Sequence, residues 1–212
     1  MPLPKSLLEG YRRFRSGRYA QDEARYRKLA GGQSPGAMVI ACCDSRVDVS
    51  AIFDTDPGDL FVMRNVANLV PTFEPDSGLH ATSAAVEYAV TALNVPNVIV
   101  LGHSQCGGVA AYRQTLKGKA DETRFIGRWL TVLDGLDVHK GDLDAFSEET
   151  AFELAGVRQS LANLRSFDAL KEREAAGLLK LHGLHFDIGS GTVLALDEKA
   201  DSFAPLPEDG CA

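Results

Sequence analysis

Three residues of this chain, Cys42, His103 and Cys106, have the types and spacing to hold a metal ion. The run His103-Ser104-Gln105-Cys106 can present an imidazole and a thiolate from one loop, and Cys42 can bring a second thiolate from another part of the chain. Two sulfurs and one nitrogen suit zinc, and three protein ligands leave the fourth tetrahedral position for water. Close to Cys42 stand Asp44 and Arg46, where a carboxylate and a guanidinium two residues apart can form a two-pronged ion pair. Taken singly, each feature has a plainer reading. A buried cysteine is most often a small apolar core residue, and the Asp44–Arg46 pair could be purely structural. The combination carries the metal reading.

The elements around these residues place them at strand ends. Turn residues Gly31 to Gly36 deliver Ala37-Met38-Val39-Ile40-Ala41, a continuous apolar run of the kind that forms a buried strand, so Cys42 falls at its end. Asp56-Pro57-Gly58-Asp59 precedes a second strand candidate, Leu60 to Arg64, and a helix is expected over His80–Leu93. The clearest strand, Asn97 to Gly102, leads directly into His103. Strand, helix and parallel strand in succession imply right-handed crossovers. The fold class is therefore α/β, a mostly parallel central sheet flanked by helices, with function beyond the carboxyl ends of the strands.

The flanks are less distinctive. An amphipathic N-terminal arm over residues 1–30 reads as two helices. After Gly107-Gly108 the chain reads mostly as helix to about Ala176, with breaks at Asp134-Gly135 and Lys140-Gly141-Asp142. A terminal hairpin is expected from Leu178–Ile188 and Thr192–Leu196, followed by a loose tail over 201–212. Gly102 to Gly108 could also be a phosphate-binding turn, but Val109-Ala110 stand where a lysine and a hydroxyl residue would be required.

Composition excludes several classes. At 212 residues, 45% hydrophobic and 24% charged, the chain suits one globular domain. A net charge of −7 disfavours nucleic-acid binding. No apolar run approaches the roughly 20 residues needed to cross a bilayer, and no basic segment followed by an apolar core opens the chain, so a cytoplasmic protein without membrane partners is expected. The four cysteines, at 42, 43, 106 and 211, are too unevenly spaced for a disulfide framework.

Cys42-Cys43-Asp44-Ser45-Arg46 resembles the C-x-D-x-R motif of the β-carbonic anhydrases, and His103-Ser104-Gln105-Cys106-Gly107-Gly108 resembles their H-x-x-C-G-G motif. The segments Asp56–Pro71 and Ala84–Val90 are similar to the family as well, so the resemblance runs from Gln33 to Gly108. Gln33-Ser34-Pro35 followed by Val39 looks like the plant-type branch. A tryptophan at the position of Val39 would instead mark the branch with an inhibitory bicarbonate site.

The resemblance implies a single domain over 1–212 that hydrates carbon dioxide reversibly to bicarbonate and a proton, by attack of hydroxide bound to a zinc held by Cys42, His103 and Cys106. It implies that Asp44 orients this nucleophile and that Arg46 keeps Asp44 ionised, although Asp44 can be a fourth ligand in a closed form. It further implies that Gln33, Phe61, Val66, Tyr88 and the backbone of Gly107 line the substrate pocket, partly from the partner subunit of a homodimer or an assembly of dimers. On the residues alone, Phe61, Val66 and Tyr88 read as ordinary core residues and Gln33 as an exposed turn residue; only the resemblance raises them to pocket residues.

Two thiolates neutralise the zinc charge, so activity is expected to rise with pH around or above neutrality. Cys43 stands where the family commonly has serine and is expected to point away from the metal. Cys211 reads as a free thiol, and His80, His139, His182 and His185 as surface or packing histidines. Two other functions stay open: hydrolysis of carbonyl sulfide or carbon disulfide on the same scaffold, and a non-catalytic zinc or redox-sensing role.

Overall fold

The computed structural model describes residues 3–75, 78–119 and 123–207. Three short helices open the chain: α1 (Lys5–Ser16), α2 (Arg18–Gln21) and α3 (Glu23–Leu29). The arm thus holds three helices where two were expected, because the backbone breaks at Gly17 and again at Asp22. None of the three has a buried residue.

The sheet follows. Strand β1 (Ala37–Cys42) leads through α4 (Val49–Ile52) to β2 (Leu60–Asn65), and α5 (Ala81–Glu87) to β3 (Asn97–His103). The helix expected over His80–Leu93 is continuous but not uniform. From Tyr88 to Ala92 it widens, the Leu93 amide reaching back to the Tyr88 carbonyl. Then come α6 (Gly107–Leu116), α7 (Ile126–Leu130), α8 (Lys140–Ala145), α9 (Glu148–Leu164), α10 (Asp168–Ala175) and strands β4 (Lys180–Phe186), β5 (Val193–Asp197) and β6 (Ser202–Pro205).

The six strands lie in the order β2-β1-β3-β4-β5-β6, the first four parallel and the last two antiparallel. β1 is buried along its whole length, as a continuous apolar run in an inner parallel strand should be. The register pairs Ala41 with Leu101, so Cys42 and His103, the last residues of β1 and β3, end at the same edge. Neighbouring strands lie about 4.8 Å apart, which brings the two side chains within reach of one ion.

Helix α9 packs over β3 and β4 and supplies Leu154, Val157 and Leu161 to the main core. Ser147 caps it, its hydroxyl accepting the Thr150 amide at 3.1 Å, and Glu148 and Glu149 lie in the first turn, where the helix dipole favours anions. Its close approach to β3 requires Gly102: a Cβ there would lie 2.7 Å from a Val157 methyl.

Two expectations are corrected. Lys140-Gly141-Asp142 opens helix α8 instead of breaking one, with its aspartate buried against Arg158. The tail expected to be loose over 201–212 contains β6, which pairs with β5 and buries Phe203 beneath the Arg158 guanidinium, 4.8 Å from the ring. Arg158 also bonds the Asp201 carboxylate at 2.9 Å. The remainder of that tail, including Cys211, lies outside the described residues.

Candidate metal centre

At the carboxyl edge of β1 and β3, Cys42, His103 and Cys106 converge, their ligand atoms all within 4.8 Å of one another and all three residues buried. It is the one such group among the described residues. Cys42 and His103 are the last residues of their strands. Cys106 comes back to the same point because Gln105 takes a left-handed turn, φ 57°, and places Cys106 at the N-cap of α6. The backbone amides of Val109 and Gly108, which bond the Cys106 sulfur, and the helix dipole favour a thiolate there.

The donor set fits a metal. His103 Nδ1 lies 2.9 Å from the Ser104 carbonyl, which can only accept, so Nδ1 carries the ring proton and Nε2 keeps a free lone pair. Nε2 is buried and makes no hydrogen bond among the described residues, a loss of about 1–3 kcal/mol unless something else binds it. The two sulfurs are close enough to share a proton. The bond from Cys106 holds the Cys42 thiol down at about 4, and the same bond together with burial pushes Cys106 up. A cation between them would make both thiolates.

Asp44 and Arg46 lie beside this cluster as the expected ion pair. Arg46 Nε and Nη2 donate to Asp44 Oδ1 at 3.0 Å and Oδ2 at 2.7 Å, and the Arg46 amide adds a third bond at 2.9 Å. These bonds hold the Asp44 carboxyl well below the usual carboxylate range. Asp44 Oδ2 lies 4.0 Å from His103 Nε2, so the carboxylate borders the space that the donors face. Arg46 Nη2 also donates to the Gln105 carbonyl at 3.0 Å, tying the loop after β1 to the loop after β3.

The expected pocket residues divide into two groups. Val66 and Gly107 are at the cluster: a side chain at Gly108 would strike Val66 and Ala67 at 2.9 Å, while one at Gly107 would meet nothing within 4 Å. Gln33, Phe61 and Tyr88 are not. Gln33 is exposed ahead of β1, and Phe61 pairs with Met38, four residues and about 13 Å back along the strand from Cys42. The Phe61 and Tyr88 rings touch, centroids 5.8 Å apart, and Tyr88 is 49% exposed. Cys43 is exposed and outside the donor group.

Four residues around the centre were not singled out from the sequence. Arg64 donates to the carbonyls of Cys42, Asp44 and Val47 at 2.9, 2.7 and 2.6 Å. Glu153, buried on α9, accepts the Cys106 amide at 3.0 Å and faces His185 Nε2 at 3.0 Å. Of the two readings left for His185, surface or packing, the second holds: it is a buried neighbour of the centre, one strand from His103. Trp129 donates its indole N–H to the Val66 carbonyl at 2.8 Å. The sequence signal for Glu153 and His185 was weak: a lone acid in the apolar face of a helix, and a histidine in a buried strand.

Comparison with known proteins agrees with this geometry. The carbonic anhydrase family model matches residues 37–193, most of the chain and all of the cluster. The chain belongs to the β-carbonic anhydrases. It is 37% identical over 178 residues to a chloroplastic β-carbonic anhydrase of Arabidopsis thaliana, covering 82% of this chain and 58% of that longer protein. It also resembles the structure of the β-carbonic anhydrase CcaA, with a TM-score of 0.82, 30% identity, and coverage of 97% of this chain and 92% of the other. Tetrameric β-carbonic anhydrases from the ascomycete Sordaria macrospora resemble it with a TM-score of 0.75 and 31% identity, covering 91% and 95% of the two chains. No helix among the described residues is long and apolar enough to cross a membrane.

Proposed function

We propose that this β-carbonic anhydrase family member catalyses the reversible hydration of carbon dioxide to bicarbonate and a proton at a zinc ion held by Cys42, His103 and Cys106. One observation carries the reading. A buried imidazole nitrogen without a hydrogen-bond partner among the described residues faces two buried sulfurs, with an arginine-locked carboxylate 4.0 Å away. A zinc ion bound there supplies a Lewis acid that makes water a nucleophile at neutral pH. Asp44, kept ionised by Arg46 and bordering the space the donors face, would present a carboxylate oxygen as the acceptor that orients a reacting water. The open face of Gly107 and the side of Val66 leave room for a small uncharged substrate. Valine, not tryptophan, at position 39 supports the plant-type branch.

Gln33, Phe61 and Tyr88 complete the pocket from a partner subunit, since within one chain they lie at the far end of the strands. The minimal active unit on this reading is a dimer, and the tetrameric relatives agree with an assembly of such dimers.

The test is stopped-flow carbon dioxide hydration with zinc analysis on the wild type, Asp44→Asn and Cys106→Ser. The wild type is expected to bind one zinc per chain and to gain activity from pH 6 to 9. Asp44→Asn should keep zinc with kcat lowered about 10²-fold or more, in the range of lost general acid–base assistance, and Cys106→Ser should lose zinc. A zinc-loaded wild type that is inactive across this range sinks the proposal. Faster sulfide release from carbonyl sulfide would reassign the substrate.

A further inference from the structure

The turn that follows β2 is strained backbone set against a metal ligand. Ala67 and Asn68 are both left-handed, with φ of 63° and 49°. For an L-residue with a Cβ this costs roughly 1–2 kcal/mol, and asparagine tolerates it far better than alanine. The same conformation sends the Ala67 N–H toward Cys42 Sγ at 3.4 Å, with both residues buried. Strain of this kind persists only where the surroundings enforce it.

The far half of the turn is held by Asn65, whose side chain bonds both the amide and the carbonyl of Leu69, and by Ser160, whose hydroxyl donates to the Asn68 carbonyl at 3.3 Å. The near half depends on Trp129, the only tryptophan in the chain. Its indole N–H donates to the Val66 carbonyl at 2.8 Å. The Val66 carbonyl and the Ala67 N–H are the two ends of one planar trans peptide and point in opposite directions. A donor fixed on the oxygen therefore fixes where the N–H is aimed. Gly108 permits the arrangement, since any side chain there would strike Val66 and Ala67.

We infer that Trp129 is a positioning residue for the metal centre: by clamping the Val66–Ala67 peptide plane it directs the Ala67 amide onto the Cys42 sulfur. The amide stabilises the sulfur lone pair and holds the ligand in one orientation before a metal arrives, the service that hydrogen-bonded outer partners give to metal ligands. The inference rests on the reading of Cys42 as a ligand.

Trp129→Phe keeps the ring and deletes the donor. Three quantities are compared between variant and wild type: zinc affinity by competition with a chromogenic chelator, the sulfur-to-cobalt charge-transfer band of the cobalt(II)-substituted protein, and the melting temperature of the metal-free protein. The expected result is zinc affinity lowered about ten-fold, the low end for loss of an outer partner, with the charge-transfer band moved to longer wavelength as the sulfur loses its hydrogen bond. An unchanged band with unchanged zinc affinity overturns the inference, whatever happens to the melting temperature, because that is the signature of a packing residue.

If the variant does not fold, the wild type decides. Its single indole N–H resonance should exchange slowly and shift on zinc removal, and exchange at the rate of a free indole overturns the inference. A wild type that takes up no zinc defeats the metal reading and this one together. A zinc-loaded wild type matched by its variant defeats this one alone.

Discussion

Arg64 illustrates how the reactive residues are held. Asp44 and Arg46 sit in a loop with no regular structure, and a loop of this kind wanders unless its carbonyls find donors. Arg64 gives it one, its guanidinium bonding three carbonyls between Cys42 and Val47, while Arg46 fixes the Asp44 side chain from the other flank. Charge-assisted bonds of this sort contribute about 1.5–3 kcal/mol each to the groups they fix. Arg64→Ala is therefore expected to lower kcat by about ten-fold or more with KM little changed, because Val66 and Gly107, the wall proposed for the substrate, are not held by Arg64. Arg64→Lys, which cannot reach all three carbonyls, should fall between the two. An unchanged kcat in Arg64→Ala would show that the loop holds itself. The three donors that could hold a metal and the Asp44–Arg46 pair were legible in the sequence because metal-binding and paired-charge side chains are distinctive at short spacing. Arg64, Glu153 and Trp129 were not, because their partners lie 17 to 63 positions away and each residue type has many commoner uses.

Among the elements, legibility followed burial. β1 and β3 announce themselves as apolar runs because both faces of these inner strands are covered. β6 does not, since only Phe203 of its four residues is buried and, besides its pairing with β5, it is held by Arg158, 45 positions before Phe203. The β4–β5 hairpin was readable from Gly189-Ser190-Gly191, but its lock is Asp187, whose carboxylate accepts the Ser190 amide at 2.6 Å and the Ser190 hydroxyl at 2.8 Å. Those bonds hold the Asp187 carboxyl below its usual value. A folded-state pKa lowered in this way adds stability above the unfolded value, near 3.9, and loses it as the pH falls through the folded value. The urea midpoints of the wild type and Asp187→Asn should thus differ by a constant amount above about pH 5 and converge below about pH 4. A gap that widens in acid would refute this assignment.

For the whole molecule, the decisive feature is that the residues proposed for the pocket lie at the two ends of the parallel strands. Cys42, Asp44 and His103 lie at the carboxyl edge, while Phe61, Tyr88 and Gln33 lie at the amino edge, where Tyr88 is half exposed. One chain cannot fold the second group onto the first without unpairing β2 from β1. On the proposed reading a two-fold symmetric partner does so, with the amino-edge residues of each subunit set against the carboxyl edge of the other, an exchange that an isologous interface makes reciprocal. This geometry predicts complementation. Cys106→Ser destroys the metal half of a site, and the double variant Gln33→Ala, Tyr88→Ala weakens the other half. In a mixed dimer one site receives both damaged halves and the other receives both intact ones. After dissociation and random reassociation of equal amounts, half the dimers are mixed and each carries one intact site, so carbon dioxide hydration should recover to about a quarter of the wild-type rate from two preparations of low activity. If mixing restores nothing while native mass spectrometry shows the mixed dimer, each chain builds its pocket alone, and Gln33 and Tyr88 are surface residues of an otherwise self-contained centre.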